Sequence, residues 1–352
     1  MNKFLAVASL VLCAACAGAK EAPRASQDLA TLADSGDVAL ADALSPVDAA
    51  EPADAQTADV QADLEPVDAP ADVSPMHPQF AFAIIADPHV VGTGENFDRL
   101  QKAVAWINAE RASRGIALVL VLGDLGWGSG GGLGMAQKIL DKLEIPYVPI
   151  VGDNEVVFGS EEEYDTLFAP HYAELAKQLQ GFERAPTPTV DPADGKKSWF
   201  QNLAFDYGGV RFVGLDWAAR VPGEIASEQG DLHDYPGATF PWLVKQMAAL
   251  GQRPDESVVL FTHIPMHESP GGFMKDEWKA IVDVIAPVGH LVSAAFGGHY
   301  HFDYEQLEED AGMTLYVTAS PFNGPLRVRV VKVLGNGAAF AYEHELIDVP
   351  FP

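Results

Sequence analysis

Beyond residue 16 the chain contains no cysteine. Its only two, Cys13 and Cys16, lie in an apolar stretch at the N-terminus. A disulfide framework and a zinc–thiolate site are therefore excluded from everything that follows. A metal centre there must use His, Asp, Glu and Asn, which suits Mn, Fe, Zn or Mg better than soft ions. Positive charge is also scarce. Against 50 Asp and Glu stand 22 Lys and Arg, a formal net charge of −28 at pH 7. Nucleic acid is not expected as a preferred partner, because its phosphates would be repelled. No apolar run is long enough for an ordinary membrane span, so no transmembrane helix is expected in the mature chain. The 352 residues suit one large domain or two small ones, and an apolar fraction of 48% is enough for a real core.

Lys3 followed by the apolar run 4–15 reads as a secretory signal, placed at residues 1–17. Leu12-Cys13-Ala14-Ala15-Cys16 resembles a bacterial lipoprotein cleavage box ending at Cys16, although Leu12 stands one place too early. The expectation is export with a lipid anchor in the cell envelope. A plain signal peptide and a periplasmic or secreted protein is the alternative. Residues 18–77 hold no aromatic residue and are dominated by Ala, Asp, Pro and Val. Such a segment cannot bury enough surface to offset its ordering entropy, so it reads as an extended, disordered acidic linker.

Residues 78–352 read as the folded domain. The run 80–85 is a continuous apolar strand pattern. Residues 96–112 have helical spacing, with Phe97, Leu100, Val104 and Ile107 on one face. Strands at 117–122 and 145–151 with a helix at 135–143 continue the alternation, which implies a mainly parallel sheet with helical crossovers. Later come a hairpin-like pair at 199–205 and 210–217, a helix opening at Pro241, and strands at 258–262 and 291–296. Segments 315–318, 326–333 and 338–343 look like closing antiparallel strands.

Five short motifs follow apolar runs in this domain. They are Asp87-Pro88-His89, Gly123-Asp124, Gly152-Asp153-Asn154-Glu155, Thr262-His263 and Gly298-His299-Tyr300-His301. Together they supply oxygen and imidazole ligands enough for two adjacent metal ions. A two-metal hydrolase needs a carboxylate shared by both ions plus further ligands for each. Asp124, on the turn after a strand, is the natural shared group. Asp-x-His and His-x-His put both side chains on one side of an extended segment. A lone His after a strand is more often structural, and Asp87 alone reads as a turn cap; the combination carries the metal reading. Segment 126–134, glycine-rich around Trp127, lacks the Lys-Ser/Thr ending of a phosphate loop and reads as a flexible loop beside the site.

The order of these motifs is similar to that of the calcineurin-like metallophosphoesterases, from about Phe80 to the C-terminus. The resemblance implies an α/β fold, a four-layer α-β-β-α sandwich of two mixed sheets flanked by helices. It implies a first metal on Asp87, His89, Asp124 and His301, and a second on Asp124, Asp153, His263 and His299. The two divalent or trivalent ions would be Mn, Fe or Zn, and a hydroxide bridging them would attack phosphorus. The substrate would be a small-molecule or surface phosphate ester.

The third motif departs from the family's usual Gly-Asn-His-Glu. Asp153 still offers a carboxylate, while a register with Asn154 as ligand stays open. Asn154, where the family has a His that contacts phosphate, donates a hydrogen bond but cannot serve as a general acid. Either the leaving group needs no proton or another residue supplies it, and His267 is the candidate. Trp127 is a candidate lining residue, and His233-Asp234-Tyr235 a candidate pocket cap. Two alternatives remain from sequence: a noncatalytic surface lipoprotein that keeps the fold, and a metal-dependent hydrolase of a nonphosphate ester.

Overall fold

The computed structural model describes residues 75–351 except 128–130, 221–227, 252–255, 323 and 338. The signal and nearly all of the linker expected from the sequence lie outside the described residues. Strand β1 (His77–Ala86) passes from exposed to wholly buried along its length, so the chain enters the core at its middle. Helix α1 (Glu95–Arg114) follows and buries Leu100, Val104 and Ile107, three of the four residues in the apolar stripe. It stops at Gly115, whose φ of 68° gives the left-handed cap that ends a helix. Next come β2 (Ile116–Leu122), α2 (Gly132–Leu140), β3 (Tyr147–Ile150), α3 (Asp153–Val157) and α4 (Glu161–Gln178).

The central part holds β4 (Gln180–Arg184), the two-residue strands β5 (Thr189–Val190) and β6 (Lys197–Ser198), then β7 (Leu203–Tyr207) and β8 (Val210–Leu215). The last part runs through α5 (Thr239–Leu250), β9 (Ser257–Thr262), α6 (Lys275–Ile285), a 3-10 turn (Ala286–Leu291) and β10 (Val292–Gly297). It closes with β11 (Tyr304–Glu308), β12 (Met313–Val317), β13 (Arg327–Gly335) and β14 (Phe340–Asp348). Among the described residues, no helix is long and apolar enough to cross a membrane.

Two mixed sheets result. One has the order β14-β13-β1-β2-β3, the other β11-β12-β10-β9-β8-β7-β4. In the first, β1, β2 and β3 are parallel and β13 joins β1 antiparallel. In the second, β8, β9, β10 and β12 are parallel. The period of two along β9 sorts its side chains. Val259 and Phe261 share a core with Phe82 of the first sheet. Val258 and Leu260 pack instead with Trp242 and Leu243 of α5 and Trp278 and Ile281 of α6. Phe82 sets its ring edge to face with Phe212 and Phe296 of the second sheet, at 5.4 and 5.6 Å. With α1, α2 and α4 burying apolar faces on the first sheet, the layers are helix, sheet, sheet, helix.

Two details differ from the sequence reading. The strand expected at 315–318 is β12, which is antiparallel to β11 but parallel to β10. The glycine-rich segment 126–134 is not loop throughout, because α2 begins at Gly132. Leu133, Ala136 and Ile139 bury at helical spacing and outweigh the poor helix propensity of the glycines.

Phe82→Ala should cost about 3–5 kcal/mol, because it opens a cavity between the sheets. The exposed Leu307→Ala should change stability by less than about 0.5 kcal/mol. Urea unfolding of both variants checks this, and equal midpoints would show that Phe82 does not join the sheets.

Candidate metal centre

All five motifs stand directly after the carboxyl ends of β1, β2, β3, β9 and β10. Parallel neighbours deliver those ends to one edge, where α/β proteins place ligands. The backbone there is unusual. Asp87, His89, Asp124, His299 and His301 all have positive φ, between 43° and 69°. For a non-glycine residue this costs of order 1 kcal/mol and persists only where the surroundings enforce it. Gly152 lets two motifs touch, since a Cβ there would lie 2.1 Å from Asp124 Oδ1.

The structure gathers the seven expected ligands into two groups. Asp87, His89, Asp124 and His301 form one, and Asp153, His263 and His299 the other; within each, donor atoms lie within 4.8 Å of one another. Asp124 spans both. Its Oδ2 is 3.7 Å from His89 Nε2, and its Oδ1 is 3.4 Å from His263 Nε2. Asp153 Oδ1 lies 2.7 Å from His263 Nε2 and 3.0 Å from His299 Nδ1, so Asp153 rather than Asn154 belongs to the second group.

Several contacts fit a cation site. Asp87 Oδ2 is buried and has no hydrogen-bond partner. His89 Nε2 and His301 Nε2 face each other at 3.0 Å. His263 Nδ1 donates to the Leu122 carbonyl at 2.8 Å, which leaves Nε2 aimed at Asp153 and Asp124. That carbonyl contact is the usual way a ligating imidazole is oriented.

The charges lead to the same conclusion. Burial pushes Asp87 above the usual carboxylate range. Burial, reinforced by Asp153, does so more strongly for Asp124. Burial acts upward on Asp153 too, but hydrogen bonds from His263 and His299 hold it below that range. Burial and the neighbouring His301 push His89 down to about 3. Burial also acts downward on His263, yet Asp124 and the Asp153 hydrogen bond raise it well above the ordinary value. Asp87 and Asp124 thus have too little positive charge around them, and metal ions bound among the seven residues would supply it.

Asn154 is buried. Its Nδ2 donates to Asp124 Oδ2 at 2.7 Å and lies 3.1 Å from His89 Nδ1. His267 is in neither group; its Nε2 meets the Tyr300 hydroxyl at 2.7 Å. Trp127 stands at the edge of the first group, 48% exposed, with its ring 5.1 Å from that of His89. His233, expected at a pocket cap, is buried against Phe200 and bonded to the Ala218 carbonyl.

Two residues escaped the sequence reading. Glu155 accepts hydrogen bonds from the backbone N–H groups of Gly152, Asp124 and Gly126, at 2.8, 3.1 and 3.2 Å. One buried carboxylate thus ties the loop after β2 to the loop after β3. Its place at the end of the third motif was the only available signal. Phe322 packs edge to face on His89 and His301, at 4.7 and 5.0 Å, and nothing in its local sequence marks it.

Residues 80–303 match the model of a family described as calcineurin-like phosphoesterase, and the chain belongs to that family. It is a metal-dependent phosphoesterase, a hydrolase. Among solved structures it is similar to a dimetal phosphatase from Danio rerio, at 16% identity and a TM-score of 0.49, covering 76% of this chain and 99% of that one. It is similar also to a sulfate thiohydrolase from Thermus thermophilus, at 14% identity and a TM-score of 0.44, covering 78% of this chain and 57% of that one. GAP50, the anchor in the inner membrane complex of Plasmodium, aligns at 10% identity and a TM-score of 0.43, over 78% and 90% of the two chains. No curated protein sequence matches the chain.

Glu155→Gln replaces an oxygen that accepts backbone hydrogen bonds with an amide that donates. Metal affinity should fall by about 10- to 100-fold, as for other residues that orient ligands. Calorimetric titration with Mn²⁺ checks this, and unchanged affinity would remove Glu155 from the metal-binding machinery.

Proposed function

We propose that the protein hydrolyses phosphate monoesters or diesters with a hydroxide shared between two metal ions. In this reading Asp87, His89, Asp124 and His301 hold one ion, and Asp124, Asp153, His263 and His299 hold the other. Mn, Fe or Zn fits the nitrogen and oxygen donor set. The observation that carries the reading is Asp124, which presents one carboxylate oxygen to each group. Bound there, the two ions supply a water of lowered pKa and neutralise the charge that grows on the phosphoryl oxygens.

The remaining work falls to the chain's own side chains. Water's oxygen adds to phosphorus, the ester P–O bond breaks, and the leaving oxygen takes the electron pair. A poor leaving group needs a proton at that moment. Asn154 has none of suitable acidity, and its amide is already engaged with Asp124 and His89. His267 is held by the Tyr300 hydroxyl. Esters whose leaving group departs as a stable anion are therefore the favoured substrates.

The full chain with added Mn²⁺ should hydrolyse bis(4-nitrophenyl) phosphate, and Asp124→Asn should fall to background. Alkyl esters should react slower by about 10²-fold or more, the usual contribution of a general acid. An Asp124→Asn variant as active as the parent would sink the two-metal reading. Equal rates for aryl and alkyl esters would show that a proton donor is present, and loss of the alkyl rate and its pH profile in His267→Ala would identify it.

We also propose export and a lipid anchor on Cys16, supported by Lys3, the apolar run 4–15 and the Leu-x-x-x-Cys spacing. Labelled palmitate should be incorporated by the parent and not by Cys16→Ser; equal labelling would exclude that anchor.

A further inference from the structure

The exposed Phe and Trp side chains among the described residues are Trp127, Phe158 and Phe302, at 48, 38 and 55%. Each lies within five residues after an expected ligand in sequence, following Asp124, Asp153 and His301. Exposed aromatic rings that cluster beside a charged pocket mark a candidate recognition surface. Trp127 packs edge to face on His89 at 5.1 Å and on Phe158 at 5.7 Å. His89 also touches His301, at 4.9 Å. The His301 side chain is 29% exposed, whereas those of His89 and His263 are 2%. Of these three imidazoles His301 is the one that reaches solvent, and Trp127 packs on its neighbour His89. Phe302 points to a different task, since it stacks on Tyr300 at 5.6 Å, and Tyr300 is tied to His267 and Ser269.

The surroundings lack the usual alternative. Among the described residues, no Lys or Arg pairs with any of the seven expected ligands. None of their ion pairs forms a cationic clamp of the kind that holds further phosphates or a carboxylate. Aromatic surface next to the ligands is a means of selection beyond the phosphoryl group.

We infer that Trp127 and Phe158 form a wall that stacks an aromatic ring carried on the ester oxygen, so that aryl phosphate esters are the preferred substrate class. This rests on the phosphoesterase reading above and deepens it. The two observations are independent of one another. The missing acid at position 154 selects leaving groups by their acidity, and the wall selects them by their shape. An aryl oxygen satisfies both.

The test must separate ring recognition from leaving-group acidity. Phosphonates do so, because they bind and do not react. The full chain loaded with Mn²⁺ is titrated by calorimetry with phenylphosphonate and with cyclohexylphosphonate, which differ in aromaticity more than in bulk. The phenyl compound should bind about two- to tenfold tighter, the usual worth of an aromatic pair beyond its buried area. Trp127→Ala and Phe158→Ala should each shrink that preference, Trp127→Phe should keep most of it, and Phe302→Ala should leave it in place. Equal affinity in the parent, or a preference that survives Trp127→Ala, overturns the wall. If neither phosphonate binds and bis(4-nitrophenyl) phosphate is not hydrolysed, the phosphoesterase reading falls and the wall with it. If hydrolysis is present without a ring preference, the wall alone falls.

Discussion

Everything around the pocket answers to one carboxylate. Asp124 has to face two groups at once, on a turn where its own backbone is held at positive φ. A free turn would relax. This one is held by Glu155, which bonds its N–H, and by Asn154, which bonds both its oxygens. Those two residues begin a short helix whose position depends on β3, and β3 is fixed by the parallel ladder with β2. The sheet thus serves less as a container than as a ruler, and the hydrogen bonds transfer its spacing to the oxygens. Strain at five ligand positions, of order 1 kcal/mol each, is tolerable because the interior behind them is closely packed around Phe82, Ile84 and Leu120.

The two-sheet arrangement also explains why most of the ligands are buried. Ligands arrive from both sheets: Asp87, His89, Asp124 and Asp153 from the first, and His263, His299 and His301 from the second. The acids come mainly from one side and the imidazoles mainly from the other, so closing the sandwich is what brings opposite charges together. Neither sheet alone supplies a complete ligand group.

Much of this was legible in the sequence because it is local. Apolar runs of four to seven residues marked β1, β2, β3, β9 and β10, and the polar motif ending each run marked the edge of the sheet. Asp153 as ligand could be weighed against Asn154, though only the fold separates them, by sending one toward His263 and the other toward Asp124. What stayed hidden was held by distant contacts. Strand β11 alternates weakly and pairs only because β12 is there. Helix α6 carried a readable stripe at Trp278, Ile281 and Ile285, which charged neighbours obscured. Phe322 reaches His89 from more than two hundred positions away, and no spacing rule anticipates that. His267 had the right chemistry in the right neighbourhood, and only coordinates reveal its partner in Tyr300.

The position of β1 has a consequence for how the molecule is made. It is the first strand of the described chain and sits inside its sheet, between β2 and β13. Its partner on one side, reaching from His77 to Gly335, is synthesised roughly 250 residues later. Through most of translation, or of passage through any export channel, one edge of a strongly apolar strand has nothing to pair with. Long-range pairing of this kind is slow and exposed to aggregation. All seven expected ligands precede β13 in the chain, so the first sheet can be completed only after every metal-facing residue has been made. A chain truncated before Arg327 would carry every one of those residues and still lack the strand that keeps β1 from sticking to something else.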